Sequence, residues 1–348
     1  MTHALGLPVR WSLVFALTLA TPLIGCGDDT TGGGGAGAGP STGGSTNGGS
    51  GGTGATGTGG EGGGGVAGCE GPEATIDGIT LGNFGVGSKV SVNGVVAMSH
   101  KFLVSKSSTT NNCLWGVFVS SPGLAETGPN TGLLVLSYGF KAEIPQGGTT
   151  AYCPRLGQDP AGDKIPDNIK PGDKLDVVGT VSRFPDPPEC TAPNPPNQVG
   201  MLQLGSVCKA TIVGTETPPA PRVLTPDEIA KISSTTDAAF HDEYGAVKVR
   251  IENVGVTPQN GMVTDMYGNI VLDDGVTVGD KIYYRGYSNN ICHASPEFTD
   301  TSVMFDHVDG FHYLNFCTWG IQPNDKCADF SPRSGDCTAD VCQPDFLN

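Results

Sequence analysis

The residues best suited to metal binding or acid–base chemistry lie together in the run His307-Val308-Asp309-Gly310-Phe311-His312. In an extended strand His307 and Asp309 share one face, whereas His312 points to the other face unless Gly310 forms a bulge. A metal site or an acid–base pair needs further converging groups, and no third ligand or base lies nearby in the sequence. The pattern therefore favours a structural strand with ordinary polar side chains, and we expect no enzyme activity, no cofactor and no metal.

A second candidate site is the set Tyr283, Arg285 and Tyr287, which alternate along a predicted strand and so share one face. Tyrosine rings and a guanidinium group can stack on sugars or bases, and small barrels often bind oligomers in this way. The alternative is that these side chains pack beneath a cysteine-rich C-terminal segment folded over the barrel. The second interpretation is slightly favoured, because so many cysteines follow this strand.

Eleven cysteines bear on the compartment in which the protein resides. Apart from Cys26 they are Cys69, Cys113, Cys153, Cys190, Cys208, Cys292, Cys317, Cys327, Cys337 and Cys342. An even number in an exported chain predicts disulfides, and full pairing here would require a bridge between the two halves of the chain. Metal binding is the alternative, but the chain has no Cys-x-x-Cys pair of the kind that zinc sites use.

The N terminus has the pattern of a bacterial export signal. Arg10 precedes an apolar run from Trp11 to Leu19, and Leu23-Ile24-Gly25-Cys26 follows. This last run resembles the lipobox, in which a signal peptidase cuts before a cysteine that then receives lipid chains. We expect residues 1–25 to be a signal peptide and Cys26 to carry the lipid. The alternative is an ordinary secretory signal whose cysteine is incidental.

The next segment, residues 26–68, is expected to be a disordered tether. From Gly32 to Gly68 more than half of the residues are glycine, and the others are almost all serine, threonine, alanine or asparagine. Such a segment cannot bury a core, and its root-mean-square reach is about 35 Å. Residue 27 is glycine, not the aspartate that marks inner-membrane retention in enteric bacteria. The expected location is therefore the outer membrane, facing the periplasm or the cell surface.

A sequence motif that occurs three times, here called the repeated phrase, predicts the fold of the rest of the chain. Residues 86–96, 171–181 and 278–287 each contain a turn, a lysine and a strand with a glycine inside it. Apolar residues alternate with period two in each copy, which predicts strands with one face toward a core. Glycines in the middle of a strand, at positions 94, 179 and 286, are typical of sharp bends in closing sheets. The phrase predicts small Greek-key barrels.

The first barrel is predicted over residues 69–214. Its strand signals lie at 88–98, 115–120, 132–138, 174–183 and 201–213. An insertion between the third and fourth strands carries Asp159, Asp163 and Asp167. Their spacing fits no EF-hand, so a solvated loop is favoured over a calcium site.

A second barrel is predicted over residues 244–323, after a proline-rich connector and short helix at 215–243. Its strand signals lie at 246–256, 262–266, 269–272, 281–287 and 302–316. Thr225, Pro226 and Glu228 provide an N-cap, a first-turn proline and a capping box for the helix. Residues 324–348 are predicted to form a disulfide-bonded C-terminal cap.

The charge of the chain limits its partners. Acidic side chains outnumber basic ones by 35 to 19, which gives a formal net charge of −16. Proteins that bind nucleic acid gain affinity from a concentrated basic face, and no run of lysine and arginine marks one here. We therefore expect no nucleic-acid partner.

This part of the chain resembles the tandem OB-fold modules that precede the catalytic domain in secreted bacterial nucleases. The resemblance rests on the order of the strands, on the capped helix between the two copies and on the sequence Tyr244-Gly245-Ala246-Val247-Lys248-Val249-Arg250-Ile251-Glu252-Asn253-Val254. The resemblance covers about residues 69–323 and implies two OB-like barrels in an exported protein. It does not carry over an active site, because the residues after Trp319 are too few for such a catalytic domain.

These observations predict a non-enzymatic envelope lipoprotein that presents two OB-like barrels for binding or scaffolding. Its expected partners are the membrane, through the lipid anchor, and an envelope protein or a glycan. The alternative is a nuclease-associated or hydrolytic accessory protein that acts with a separate catalytic partner.

Overall fold

The computed structural model describes residues 68–332, except 108–109, 145, 150, 155, 157–160, 185–199, 266–267, 283–297, 316 and 326. Strands dominate these described residues, with three short helices beside them, so the prediction of an all-β fold is confirmed. None of those helices is long and apolar enough to span a bilayer.

The first half of the described chain contains one sheet and one short helix. Its elements are β1 (Glu73–Ala74), α1 (Ile76–Thr80), β2 (Lys89–Ala97), β3 (Phe102–Lys106), β4 (Asn112–Ser120), β5 (Gly132–Lys141), β6 (Asp173–Phe184) and β7 (Met201–Thr215). The five strands predicted for this half overlap β2, β4, β5, β6 and β7. The sequence analysis did not predict β1, α1 or β3.

Five strands of this sheet pair in a closed cycle. Antiparallel pairing joins β2 to β6, β6 to β7 and β5 to β4, whereas β5 and β7 are parallel. β2 also pairs with β4, where Val96 lies opposite Ser120, and this contact closes the cycle. β3 continues along the same edge of β4, so β2 and β3 together border β4 over most of its length.

Two of the predicted glycine bends coincide with irregularities in the strand pairing. The register between β2 and β6 shifts between Val92 and Val95, and Gly94 in that gap has a φ of +66°. Residues with a side chain rarely adopt this φ. At Gly179 a Cβ would lie only 2.8 Å from the side chain of Leu204, so glycine is required there for space.

The inward faces of the first sheet form its apolar core. The helix α1 packs into this core, and it begins where the Thr75 hydroxyl accepts a hydrogen bond from the amide of Gly78 at 3.2 Å. The buried side chains are Ala74, Ile76, Ile79, Val90, Val92, Val95, Ala97, Val117, Val119, Leu133, Val135, Ile165, Ile169, Leu175, Val177, Val181, Leu204 and Val207. Every strand of the cycle contributes, so burial on one face holds the cycle together.

The second half contains two helices and a second sheet. Its elements are β8 (Arg222–Val223), α2 (Pro226–Ile232), α3 (Ala238–Tyr244), β9 (Lys248–Gly255), β10 (Ile270–Val271), β11 (Thr277–Val278), β12 (Met304–Asn315), β13 (Thr318–Gln322) and β14 (Phe330–Ser331). The strand order is β10-β11-β13-β12-β9-β8, and β14 pairs with β12. β14 lies in the stretch that was predicted to begin the C-terminal cap, and residues 333–348 of that stretch lie outside the described residues.

The helix α2 begins as the sequence predicts. The Thr225 hydroxyl accepts a hydrogen bond from the Glu228 amide, and the Glu228 carboxylate accepts one from the Thr225 amide at 2.7 Å. This reciprocal pair is a capping box, and Pro226 follows the cap where no N–H is needed. The Tyr244 hydroxyl, at the end of α3, donates a hydrogen bond to the same carboxylate at 2.5 Å.

The strands of the second sheet between β9 and β12 are shorter than the sequence predicts. The segment predicted as strands at 262–266 and 269–272 contains isolated bridges, at Met262 and Thr264, and the two-residue β10. The third copy of the repeated phrase begins at the last residue of β11, and its residues 279–282 are not strand. Its residues 283–287, with the predicted bend at Gly286, lie outside the described residues. The Gln322 side chain packs against Gly279 and accepts a hydrogen bond from the Lys281 amide at 3.2 Å. A side chain thus replaces the neighbouring strand as the partner of this backbone N–H, just after β11 ends.

The two sheets pack against each other through the outward faces of β4, β5 and β12. Phe118 stacks on Phe311 with ring centroids 4.2 Å apart and planes 2° from parallel, and Tyr313 meets Phe118 edge-on at 5.8 Å. The buried side chains of this interface are Met98, Phe102, Val104, Phe118, Leu134, Leu136, Met201, Ala246, Ile282, Phe311, Tyr313, Leu314 and Trp319. Because these residues come from both halves, the interface is a third apolar core.

Hydrogen bonds cross the same boundary. Arg183 of β6 donates two hydrogen bonds to the carboxylate of Asp242 in α3, at 2.7 and 3.0 Å. The Thr127 hydroxyl donates one to the carbonyl of Lys248 in β9 at 2.6 Å. A paired guanidinium and carboxylate fix orientation as well as distance. The described halves therefore form one packed unit.

Candidate functional site

The cysteines that the structure describes are disulfide-bonded, as predicted. Cys69 is joined to Cys208, and Cys113 is joined to Cys153. Cys317 and Cys327 are also in disulfides. The first bridge ties the beginning of the first half to β7 across a sequence separation of 139 residues. Pairing of this kind is typical of chains that fold in an oxidising compartment.

Several predicted site residues lie outside the described residues. They are the lipidation candidate Cys26, the aromatic and basic set Tyr283, Arg285 and Tyr287, and the cysteines Cys190, Cys292, Cys337 and Cys342. The signal peptide, residues 1–25, and the tether up to residue 67 lie outside them as well. For these residues the sequence-based expectations stay predictions.

The histidine run lies on β12, and its side chains have separate partners. Asp309 is buried and accepts two hydrogen bonds from the Arg250 guanidinium, at 2.7 and 2.8 Å. This hydrogen bonding raises the pKa of Arg250. His307 is half-buried, and the neighbouring Asp306 accepts a hydrogen bond from the Ser331 hydroxyl at 2.9 Å. Among the described residues no three His, Cys, Asp or Glu side chains converge as metal ligands.

His312 belongs to a different environment, which we call the buried histidine cluster: His241 of α3, His312 of β12 and Trp319 of β13. The His241 ring stacks on the Trp319 indole at a centroid distance of 4.1 Å, and the two imidazoles are 5.1 Å apart. All three side chains are at most 1% exposed. The cluster lies where α3 packs against β12 and β13.

Burial decides the protonation of the two imidazoles. His241 Nε2 donates a hydrogen bond to the Ser234 carbonyl at 2.6 Å. Among the described residues, no atom makes a hydrogen bond of good geometry with His241 Nδ1 or with either ring nitrogen of His312. Burial, followed by the neighbouring His241, lowers the pKa of His312 to about 3, although backbone groups of Ile232 and Tyr244 act against the shift. Burial also lowers the pKa of His241. Both rings are therefore neutral at neutral pH.

The acidic insertion of the first half surrounds a buried lysine. Lys101, which is 2% exposed, contacts the carboxylates of Asp163 and Asp167, and its Nζ donates a hydrogen bond to the Ile165 carbonyl at 2.8 Å. The Asp163 side chain is 1% exposed, so the prediction of a solvated loop is wrong for this residue. A lysine ammonium thus occupies the position between carboxylates that a metal cation would take. Asp159 lies outside the described residues.

Two exposed aromatic residues lie on the second half of β5. Leu134 and Leu136 point outward from β5 and are buried against the second sheet. The strand runs beyond that sheet and carries two exposed rings there, Tyr138, which is 57% exposed, and Phe140, which is 56% exposed. The pairing of β5 with β4 shifts register between Tyr138 and Lys141, so Phe140 does not continue the alternation of Leu134, Leu136 and Tyr138. Ile144 follows and is also exposed. We call Tyr138, Phe140 and Ile144 the aromatic strip.

The backbone beside the aromatic strip fixes its position. A Cβ at Gly162 would lie 2.4 Å from the Phe140 ring, so the ring rests directly on the backbone of the insertion. The Phe140 amide donates a hydrogen bond to the Ala161 carbonyl at 2.9 Å. A ring that packs on one face loses little conformational entropy when a ligand stacks on the other face. Phe140 is therefore held in place while 56% of the residue stays exposed.

Comparison of the chain with protein-family models, with curated proteins and with solved structures gives no match. The aromatic strip was not predicted from the sequence, although a signal for it existed. Along β5 leucine at positions 134 and 136 is followed by tyrosine at 138 and phenylalanine at 140, which indicates where a buried segment ends and an exposed one begins.

Proposed function

We propose that this protein is a non-enzymatic envelope lipoprotein in which two OB-like units form one rigid body that binds a glycan on the aromatic strip. The observation that carries the proposal is the exposure of Tyr138 and Phe140 at the end of a strand whose earlier outward side chains, at Leu134 and Leu136, are buried. Rings of this kind stack on the apolar faces of sugars, and OB-folds bind oligosaccharides on the second and third strands of the barrel.

The strand pairings support the OB-like assignment. In the first sheet the parallel pair β5–β7 and the antiparallel pairs β2–β6 and β6–β7 are those of a five-stranded OB barrel. The second sheet repeats them in β11–β13, β9–β12 and β12–β13. Within this proposal β5 is the third strand of the first unit, and Tyr138 of the aromatic strip lies on its outward face, where the ligand is expected.

The charge of the chain favours a neutral polymer over a polyanion. A net charge of −16 opposes association with nucleic acid unless a basic groove offsets it. Stacking on the ring faces of a glycan needs no such groove. Binding of a neutral glycan, and not of nucleic acid, also separates the proposal from the alternative of a nuclease-associated accessory protein.

Removal of the two rings is expected to weaken glycan binding. The chain without residues 1–26 should co-sediment with chitin, an insoluble neutral glycan. Tyr138→Ala with Phe140→Ala should lower the affinity roughly ten- to hundredfold per ring, because each buried ring contributes about 1.5–3 kcal/mol. The matched control is Val86→Ala, which removes an exposed apolar side chain elsewhere in the first half. Equal binding by all three proteins would contradict the site. Submicromolar binding to single-stranded DNA that weakens steeply with salt would favour the alternative.

Lipid attachment is tested separately. Cys26→Ser is expected to leave the protein unlipidated and released from membranes by a salt wash, since acyl chains add about 0.8 kcal/mol of membrane affinity per buried methylene. Fractionation followed by immunoblotting measures the distribution. A mutant that stays in the membrane fraction as the wild type does would contradict the anchor.

A further inference from the structure

The buried lysine of the first half lies in contact with a carboxylate that is equally buried. Lys101 precedes β3, and Asp163 lies in the insertion between β5 and β6, at a separation of 62 residues. The exposed fractions of their side chains are 0% and 1%. The Nζ atom of Lys101 touches one carboxylate oxygen of Asp163, and its hydrogen bond to the Ile165 carbonyl at 2.8 Å fixes the amine in that place. Nucleophile and acceptor are thus held together without solvent between them.

The surroundings of this pair are apolar. The Nζ atom lies 5.4 Å from the centre of the Trp115 ring, and Trp115 packs with Leu103 and Ala161 in one buried cluster. Burial raises the pKa of Asp163, while the charge of Lys101 works in the opposite direction. In such an environment the neutral amine and the neutral acid compete with the ion pair, because separated charges lose their solvation.

A second carboxylate completes the arrangement. The Asp167 carboxylate contacts the same Nζ atom, and it accepts a hydrogen bond from the Ala161 amide at 3.2 Å. Its side chain is 33% exposed, unlike those of the other two residues. Asp167 therefore touches the amine and reaches solvent, which suits a group that carries protons and lets water leave.

We propose that Lys101 and Asp163 condense to form an amide bond between their side chains, with Asp167 transferring the protons. The reaction needs no co-reactant. A proton passes from the Lys101 ammonium to the Asp163 carboxylate, and the free amine attacks Cγ of the resulting acid. Asp167 takes a proton from the nitrogen and returns it to the departing hydroxyl. One C–N bond forms, one C–O bond breaks, and one water molecule leaves.

The bond cross-links the start of β3 to the insertion beside the aromatic strip. It resists thiol reductants, unlike the Cys113–Cys153 disulfide in the same buried cluster. The insertion would thus stay attached to the sheet under conditions that open its disulfide. This inference does not depend on the proposed function.

Peptide mapping by mass spectrometry tests the cross-link in the full-length protein purified from membranes. After reduction and trypsin digestion we expect a branched peptide that contains Lys101 and Asp163, lighter by one water (about 18 Da) than its two parts, and no cleavage after Lys101. Unmodified linear peptides covering both residues, with normal cleavage after Lys101, would overturn the proposal. This measurement needs no variant, so a folding defect cannot obscure it.

Three variants assign the roles. Lys101→Arg keeps the charge but lacks a nucleophilic amine, so it should give only linear peptides. Asp163→Asn should form the same branched peptide, because the amine then expels ammonia instead of water. Asp167→Asn should leave the two peptides linear in protein whose circular dichroism matches the wild type. A branched peptide in Asp167→Asn would overturn the role of Asp167, and one in Lys101→Arg would place the bond elsewhere.

Discussion

Replacing Phe118 with alanine is expected to lower the free energy of unfolding by about 3–5 kcal/mol, the range for a large aromatic side chain removed from a core. Phe118 is completely buried although it points outward from its own sheet. Its ring stacks on Phe311 at 4.2 Å and on Phe102 at 5.5 Å. The alanine variant would leave a cavity between the two sheets that neither half can fill alone. Urea unfolding followed by circular dichroism measures the loss.

The matched control is Phe184→Ala, which removes the same side chain at an exposed position of the first half. It should change the free energy of unfolding by less than about 1 kcal/mol, as most surface substitutions do. In the wild type both halves should unfold in one transition by circular dichroism, because the shared apolar core couples them. Two separate wild-type transitions, or a Phe118→Ala cost as small as that of the control, would show that the halves are independent.

Local patterns were sufficient to predict five strands of the first sheet and the helix cap. The period-two alternation in the repeated phrases placed β2 and β6, and the bends at Gly94 and Gly179 followed from glycine inside a strand. The capping box of Thr225 and Glu228 depends on a spacing of three residues, so it can be read directly from the sequence. Each of these features is decided by neighbours within a few positions.

Contacts between distant segments could not be predicted in this way. The run Trp115-Gly116-Val117-Phe118-Val119 is apolar on both faces, which signals that β4 is covered twice, but nothing local identifies β12 as the cover. Lysine side chains are seldom fully buried unless they are paired, and only the fold brings Asp163 to Lys101. The aromatic strip depends on where the second sheet ends along β5, which is a property of the packed halves.

Acid is expected to destabilise the protein through the buried histidine cluster. In the unfolded chain His312 titrates near pH 6.5, whereas in the folded protein burial lowers its pKa to about 3. Above pH 6.5 the ring is neutral in both states, so it adds no pH dependence. Between pH 6.5 and pH 3 the unfolded chain binds a proton that the folded state excludes, and stability falls as the pH falls. The loss is about 1.4 kcal/mol per pH unit, or about 5 kcal/mol over the window.

His312→Leu isolates this contribution, because leucine is apolar and does not titrate in the buried histidine cluster. Chemical unfolding between pH 7 and pH 4 should show a shallower loss of stability in this variant than in the wild type. The free energy of unfolding of His312→Leu, minus that of the wild type, should therefore rise as the pH falls. Some slope should remain, because burial also lowers the pKa of His241. His307→Leu is the control, since His307 lies half-buried on the same strand outside the cluster. Equal slopes in His312→Leu and in the wild type would mean that a proton reaches the folded cluster without cost, and the burial argument for His312 would then be wrong.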